Sequence, residues 1–202
     1  MRRHHHMNEE IGFFRQKLQE RLNPMRYEHS LSVSFTAMAL AMRYGYDLDK
    51  AEMAGLLHDC AKRFGDSEII QKCRKHKLNL EDDELKAPAV LHAKYGAWLA
   101  EHRYGITDPE ILSAIRWHTT GKANMSVLDK IIYIADYIEP RRNKAGDLEE
   151  MRQLAFSDLD ETMFRILQGT LIYLQSKGGS IDRMTKEAYE YYKNIREERK
   201  KA

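Results

Sequence analysis

Cysteine, proline and glycine are scarce in this chain, with two, four and eleven of them in 202 residues. Cys60 and Cys73 cannot build a disulfide framework, and their spacing is not that of a thiolate metal site. Reduced thiols in a cytoplasmic protein are the plain reading. So little proline and glycine excludes collagen-like and mucin-like chains, and 43% hydrophobic residues exclude broad disorder. There is no run of 18 apolar residues and no apolar segment near the start. Neither a membrane span nor a secretory signal is therefore expected. An excess of one charge is also lacking. The 33 basic residues stand against 31 acidic ones, for a net charge of +2, so electrostatics gives no case for nucleic acid or a membrane surface as partner.

What the chain does have is apolar residues at helical spacing almost throughout. Asn8 is placed to cap a first helix over about 9–22, which Asn23-Pro24 breaks. Further helices are expected over about 25–43, ending at Gly45, from Asp47 or Asp49 through Cys60, and from Asp66-Ser67. The stretch Asn79 to Lys86 reads as acidic and irregular. Helices then follow at about 89–104, from Pro109 to His118, and at about 127–139, 147–155, 158–177 and 182–200. No strand pattern, repeat or linker is evident. The expectation is one all-α, single-domain helical bundle over residues 8–195, preceded by a leader or tag remnant at 1–7 and followed by a charged, solvated end at 196–202. His4, His5 and His6 belong to that leader and are left out of any site.

Six histidines remain: His29, His58, His76, His92, His102 and His118. A single scattered histidine is most often structural. Position sets some of these apart. His58 is followed at once by Asp59 after an apolar run, and Asp136 interrupts the nearly all-apolar Ile131-to-Ile138 segment. A buried carboxylate costs several kcal/mol unless paired or protonated, about 2–7 kcal/mol for a polar group left without a partner. A metal ion or an arginine removes that cost, and a buried helix-to-helix salt bridge is the plainer alternative. On a helix, adjacent side chains diverge by about 100°, so a His-Asp pair meets one small ion only at the helix edge. A carboxylate with two oxygens can then bridge two ions. Imidazole and carboxylate suit iron, manganese, zinc or cobalt.

The ordered series His29, His58-Asp59, His92, His118, Asp136 resembles the ligand set of the HD-domain metal-dependent phosphohydrolases. More narrowly, Arg26-Tyr27-Glu28-His29-Ser30, Leu56-Leu57-His58-Asp59-Cys60-Ala61-Lys62, Ile115-Arg116-Trp117-His118-Thr119-Thr120-Gly121 and Tyr133 through Arg142 resemble the YqeK-type members. The resemblance spans roughly residues 8–195. It implies two transition-metal ions, iron foremost, with manganese, cobalt or zinc as alternatives, and symmetrical hydrolysis of diadenosine tetraphosphate to two ADP. It places one ion on His29, His58, Asp59 and Asp136 and the other on His92 and His118, with Asp59 shared. His76 and His102 match no motif and read as surface residues.

Hydrolysis of a phosphoanhydride needs an activated water and neutralisation of phosphate charge. Two ions about 3.5–4 Å apart supply both. Lys62, three residues past Asp59, is placed to share its helix face and neutralise charge in the transition state, which makes Asp59 and Lys62 the catalytic candidates. Arg26 precedes His29 by three residues. The resemblance favours Arg142 as a phosphate contact and sets the turn Gly179-Ser180-Ile181-Asp182-Arg183 against the nucleotide. A glycine-led helix start offers free N–H groups to an anion, and a plain helix-breaking turn is its alternative. His29, His92 and His118 join the phosphate-facing set through the ions. Cys60 points about 200° from His58 on a helix and is expected in the core.

Alternatives of other classes stay open at this point. They are a di-iron oxygenase, a nucleoside di- or triphosphate hydrolase, and a slow-turnover protein that binds ADP or GDP as a regulatory ligand. The lysine and arginines favour a polyanionic substrate over a neutral one. A homodimer is expected because Phe164, Tyr189, Tyr191 and Tyr192 exceed what one small core must hold.

Overall fold

The computed structural model describes residues 2–201, with side chains from residue 9 onward. Among these residues there are eleven α-helices, one short 3-10 turn and no strand: α1 Arg2–Arg21, α2 Pro24–Tyr44, α3 Leu48–Leu57, α4 Asp66–Lys75, α5 Asp82–Lys86, the 3-10 turn Pro88–Val90, α6 Leu91–Tyr104, α7 Pro109–Trp117, α8 Val127–Ile138, α9 Leu148–Ala155, α10 Leu159–Ser176 and α11 Arg183–Lys201. The all-α expectation is met.

Local chemistry sets most boundaries. Asn23 accepts a hydrogen bond from the Arg26 N–H at 2.9 Å, with Pro24 opening α2. Gly45 closes α2 at φ 64°, a left-handed geometry that only glycine adopts cheaply. Asp47, Asp108 and Asp158 cap α3, α7 and α10, and Ser126 with Asp129 forms a reciprocal capping box on α8.

Four expectations need correction. The first helix begins at Arg2, so Asn8 lies inside it and caps nothing. The leader expected at 1–7 falls on side chains outside the described ones. The acidic stretch before Lys86 is not irregular throughout, because Glu81 and Glu84 form a capping box that closes the single turn of α5. The helix expected to carry Cys60 stops at Leu57. Beyond it the chain winds in tight turns, with Cys60 N–H to Leu57 O at 3.0 Å and Lys62 N–H to Asp59 O at 2.9 Å. His58 and Asp59 therefore leave a helix end rather than sit on a regular helix. Finally, the C-terminal charges are not simply solvated. Arg196 pairs with Glu161 at 2.9 Å, and Arg199 pairs with Asp158 and Asp160 across to α10.

The bundle is centred on α2, α3, α7 and α8. Leu40, Leu56, Leu57, Ile115, Leu128, Ile131 and Ile132 are fully buried among them, and each such side chain contributes about 1.5–3 kcal/mol by leaving water. Gly55 lets α3 lie against α2. A Cβ there would stand 2.7 Å from the Ser34 Cα, so any larger residue would push the two backbones apart beside the His58-Asp59 turn. Phe164 and Tyr192 are buried, and Phe164 stacks on Tyr189 at 5.8 Å between α10 and α11. Tyr191 meets Tyr192 edge-on at 5.2 Å. These aromatic rings are used within the chain and carry no argument for a dimer.

Candidate metal centre

Every residue of the histidine-aspartate series is brought together. His29 comes from α2, His58 and Asp59 from the end of α3, His92 from the first turn of α6, His118 from the end of α7 and Asp136 from α8. Three groups hold donor atoms all within 4.8 Å of one another: His29-His58-Asp59, His58-His118-Asp136 and Asp59-His92-His118.

Asp59 divides its oxygens between the two sides. Oδ2 faces His58 Nε2 at 3.6 Å and His29 Nε2 at 3.8 Å. Oδ1 faces His92 Nε2 at 3.3 Å and His118 Nε2 at 3.4 Å. Asp136 Oδ1 lies 3.0 Å from His29 Nε2 and 3.9 Å from His58 Nε2. Asp59 thus stands between the two sides, while the His58-His118-Asp136 group spans them.

Ring tautomers show whether these donors suit metal ions. Nδ1 of His58 lies 2.7 Å from the Gly55 carbonyl, Nδ1 of His92 2.6 Å from Ala89 O, and Nδ1 of His118 2.7 Å from Ile115 O. A carbonyl can only accept, so each Nδ1 carries the proton and each neutral ring turns the Nε2 lone pair inward. The Nε2 atoms of His92 and His118 then face each other at 3.0 Å, lone pair to lone pair. Nε2 of His58 is buried with no hydrogen-bond partner. Such an arrangement is unfavourable unless cations occupy the focus of the lone pairs. The donor set fits a pair of divalent ions.

Electrostatics agrees. Burial pushes the His58 pKa down to about 4, keeping the ring neutral. Burial also lowers His92. In Asp59, burial raises the pKa but His58, His118 and His92 outweigh it, so the carboxyl stays well below the ordinary range and ionised. Asp136 is lowered too, with burial opposed chiefly by its contact to His29. In His29, burial lowers the value, but Asp136, Asp59 and Glu139 together raise it. That ring draws a proton where a metal cation would otherwise balance the carboxylates.

Glu139, to which the sequence reading gave no role, supports this centre. It is buried, and its Oε1 lies 3.3 Å from His29 Nδ1. It also accepts from the Ser32 hydroxyl at 2.6 Å and the Arg141 N–H at 2.8 Å. It fixes the ring that the other three histidines fix through backbone carbonyls. The sequence signal was faint, a glutamate between an apolar helix and Pro140. Glu139→Ala is expected to weaken metal binding about 10–100-fold, read by competitive metal titration with the fold checked by circular dichroism. Glu139→Gln, which keeps an acceptor, is expected to lose less.

The cationic candidates divide. Arg26 donates to Asp59 Oδ2 at 2.8 Å, and Arg142 donates to Asp136 Oδ1 at 3.2 Å and to the Asp136 carbonyl at 3.0 Å. Both stand at the rim of the centre, each about one-third exposed. Lys62 is half-buried and near enough for its charge to lower His92. Thr119 Oγ1 lies 3.1 Å from His92 Nε2. A small cleft of about 130 Å³, lined by His118, Thr119, Asp136, Arg142 and Tyr137 among others, opens beside these groups.

The Gly179–Arg183 turn is held by contacts of its own. Asp182 is buried and spent on capping α11, accepting from Thr185 N–H at 2.8 Å and from its hydroxyl at 2.7 Å. The Arg183 N–H donates to Asp83 at 2.5 Å and its guanidinium to Glu187. Gly179, Ser180 and Ile181 make no hydrogen bond to the ligand residues. Cys60 is buried as expected, its thiol pushed up to about 12 by burial. His76 and His102 lie away from the centre, on either side of Trp98 in the chain's stacking pattern, at 3.8 and 4.7 Å between ring centroids.

The sequence profile of the HD domain matches residues 26–141. The chain belongs to the HD-domain family. All six candidate ligands fall within the matched span. A curated relative from Halalkalibacterium halodurans, called a symmetrical bis(5'-nucleosyl)-tetraphosphatase, is 40% identical over 166 residues, covering 82% of this chain and 88% of that protein. One of the same name from Staphylococcus aureus is 39% identical over 183 residues, covering 89% and 92%. A crystal structure from Clostridium acetobutylicum, described as a predicted HD superfamily hydrolase involved in NAD metabolism, superposes with a TM-score of 0.88 at 40% identity. It covers 91% of this chain and 97% of that one. HD domains bind divalent metals through such clusters. No helix among the described residues is long and apolar enough to cross a membrane.

Proposed function

We propose that this HD-domain protein hydrolyses dinucleoside polyphosphates and splits diadenosine tetraphosphate symmetrically into two ADP. One observation carries the reading. Asp59 stands between two inward-turned imidazole groups, in a chain that aligns over most of its length with symmetrical tetraphosphatases. His29, His58, Asp59 and Asp136 would hold one ion, and Asp59, His92 and His118 the other. When bound, the pair supplies an activated water and a clamp for phosphate oxygens. Four imidazoles with two carboxylates are borderline-to-hard donors, and iron is the metal we assign, ahead of manganese, cobalt or zinc.

The chain's own residues do the rest. Glu139 and the Gly55, Ala89 and Ile115 carbonyls hold the rings so that Nε2 stays unprotonated and inward. Arg26 and Arg142 balance the carboxylates at the rim and, with substrate present, turn to the phosphates beside them. Lys62 neutralises the charge that develops on the leaving phosphate. One ADP moiety is held along this rim with its β-phosphate over the centre, and the second ADP leaves. ADP or GDP binds at the same rim as a product-like ligand. The protein acts in the cytoplasm. Pairing of two copies would use the apolar groove of about 600 Å³ that includes the exposed Phe35 and Phe156.

Hydrolysis of this kind depends on metal and not on oxygen. Turnover is expected to vanish on chelation, return when divalent metal is restored, and proceed at full rate under anaerobic conditions. Activity that survives exhaustive chelation, or that requires oxygen, would reject the reading.

A further inference from the structure

Far from the metal centre, the other end of α6 borders a cavity of about 360 Å³. Six cations line it: Lys17 and Arg21 from α1, Arg63 from the turn after Asp59, Lys72 and Lys75 from α4, and Arg103 from the last turn of α6. Among the described residues no carboxylate lines it. His92 and Arg103 stand eleven positions apart on α6, about 16 Å along its axis, and no residue lines both this cavity and the cleft beside the centre.

The charge is unusual for this chain. Its net charge is only +2, and many arginines elsewhere meet a carboxylate, as in Arg15–Glu52, Arg165–Glu150 and Arg196–Glu161. In the cavity only Lys72 meets a carboxylate, Glu68 at 3.3 Å. Among the described residues the other five have no ion-pair partner. Aromatic rings lie against four of these five, all but Lys75, and against Lys72 as well. Arg63 and Lys72 lie 4.3 Å from the centre of the Phe64 ring, Lys17 lies 4.9 Å from that of Tyr104, and Arg21 lies 5.9 Å from the same ring. A cation resting on a ring face keeps its N–H donors free at the edge. His76, at the rim, feels the excess: its pKa is lowered, by desolvation first and then by Lys75, Arg103, His102 and Lys72.

Six like charges around one concave space repel one another, and an anion relieves the repulsion. The cations come from three helices and a turn, so a single small anion reaches only some of them, while a chain of phosphoryl groups spans the set. The concavity suits a small molecule rather than a flat membrane or a duplex. We infer that this cavity is a second anion site that binds a chain of phosphoryl groups, carried by a nucleoside polyphosphate or by inorganic polyphosphate. The inference does not rest on the proposed reaction, since none of its residues is assigned to the metal centre.

The test uses the full chain and the double variant Lys75→Glu/Arg103→Glu, both exposed positions outside the centre. ATP, tripolyphosphate and sulfate are titrated into each while two-dimensional amide and Trp98 indole resonances are followed by NMR. ATP or tripolyphosphate is expected to shift Lys75, His76, Trp98 and Arg103 at concentrations at least about tenfold below those needed for sulfate. The double variant should weaken that response by about tenfold or more, while its hydrolytic turnover stays unchanged. A midpoint lower for ATP than for tripolyphosphate assigns the nucleotide as carrier, and the reverse assigns inorganic polyphosphate. Sulfate acting as strongly as both, silence at these resonances, or an unweakened response in a folded double variant would overturn the inference.

Discussion

Asp59→Ala is expected to remove most of the bound metal from both positions and to lower turnover by about four orders of magnitude, about 5.5 kcal/mol in barrier height. The reason is the division of its carboxylate. Oδ1 serves the His92 and His118 side at 3.3 and 3.4 Å, while Oδ2 serves the His29 and His58 side. Loss of a ligand that belonged to one ion alone would leave the other ion in place. Loss of Asp59 also leaves Arg26 without its 2.8 Å partner and removes one of the two ionised carboxylates that balance the ions. Metal analysis of the purified variant gives the outcome directly. A variant that keeps its full metal complement would show that Asp59 does not bridge. His118→Ala provides the comparison, with one ion expected to remain through His29, His58, Asp59 and Asp136.

Lys62→Ala is expected to separate chemistry from metal binding. Its side chain coordinates nothing in the ligand set, yet its charge reaches His92. If it stabilises charge on the phosphate in the transition state, removing it costs roughly 2–4 kcal/mol, or about 30- to 1,000-fold in turnover, with metal content unchanged. Lys62→Arg should recover part of the loss, because charge is restored with altered geometry. Steady-state kinetics beside metal analysis reads both quantities. A fall in turnover matched by an equal fall in metal content would assign Lys62 to the integrity of the centre instead.

Much of the fold was legible because its boundaries are local. Asn23-Pro24, Gly45, Asp47, Asp108-Pro109 and Ser126 terminate or start helices through contacts within four residues, and the structure places helix ends at each. The missed turn of α5 depends on a capping box between Glu81 and Glu84 inside an acidic run, where polarity hid the signal. The early end of α3 was hidden too. Its apolar pattern continues through Cys60 and Ala61, both buried, although the backbone has already tightened into turns.

The ligands were legible as residue types in order along the chain, but their support was not. Glu139 meets His29 across 110 positions of sequence and Ser32 across 107, and no local pattern encodes such a meeting. Asp182 caps α11 through Thr185, three residues on, a local contact of the kind that Asp47 and Asp108 make. The cationic cavity draws residues from four separate segments, and no local pattern in any one of them marks a shared site.

Product identity tests the proposed reaction most directly. Metal-loaded protein is given diadenosine tetraphosphate, and the nucleotides are separated by chromatography during the first turnovers. A dinuclear centre that takes the β-phosphate of one held ADP moiety predicts two ADP for each substrate consumed, with neither AMP nor ATP accumulating. AMP and ATP in equal amounts would contradict it.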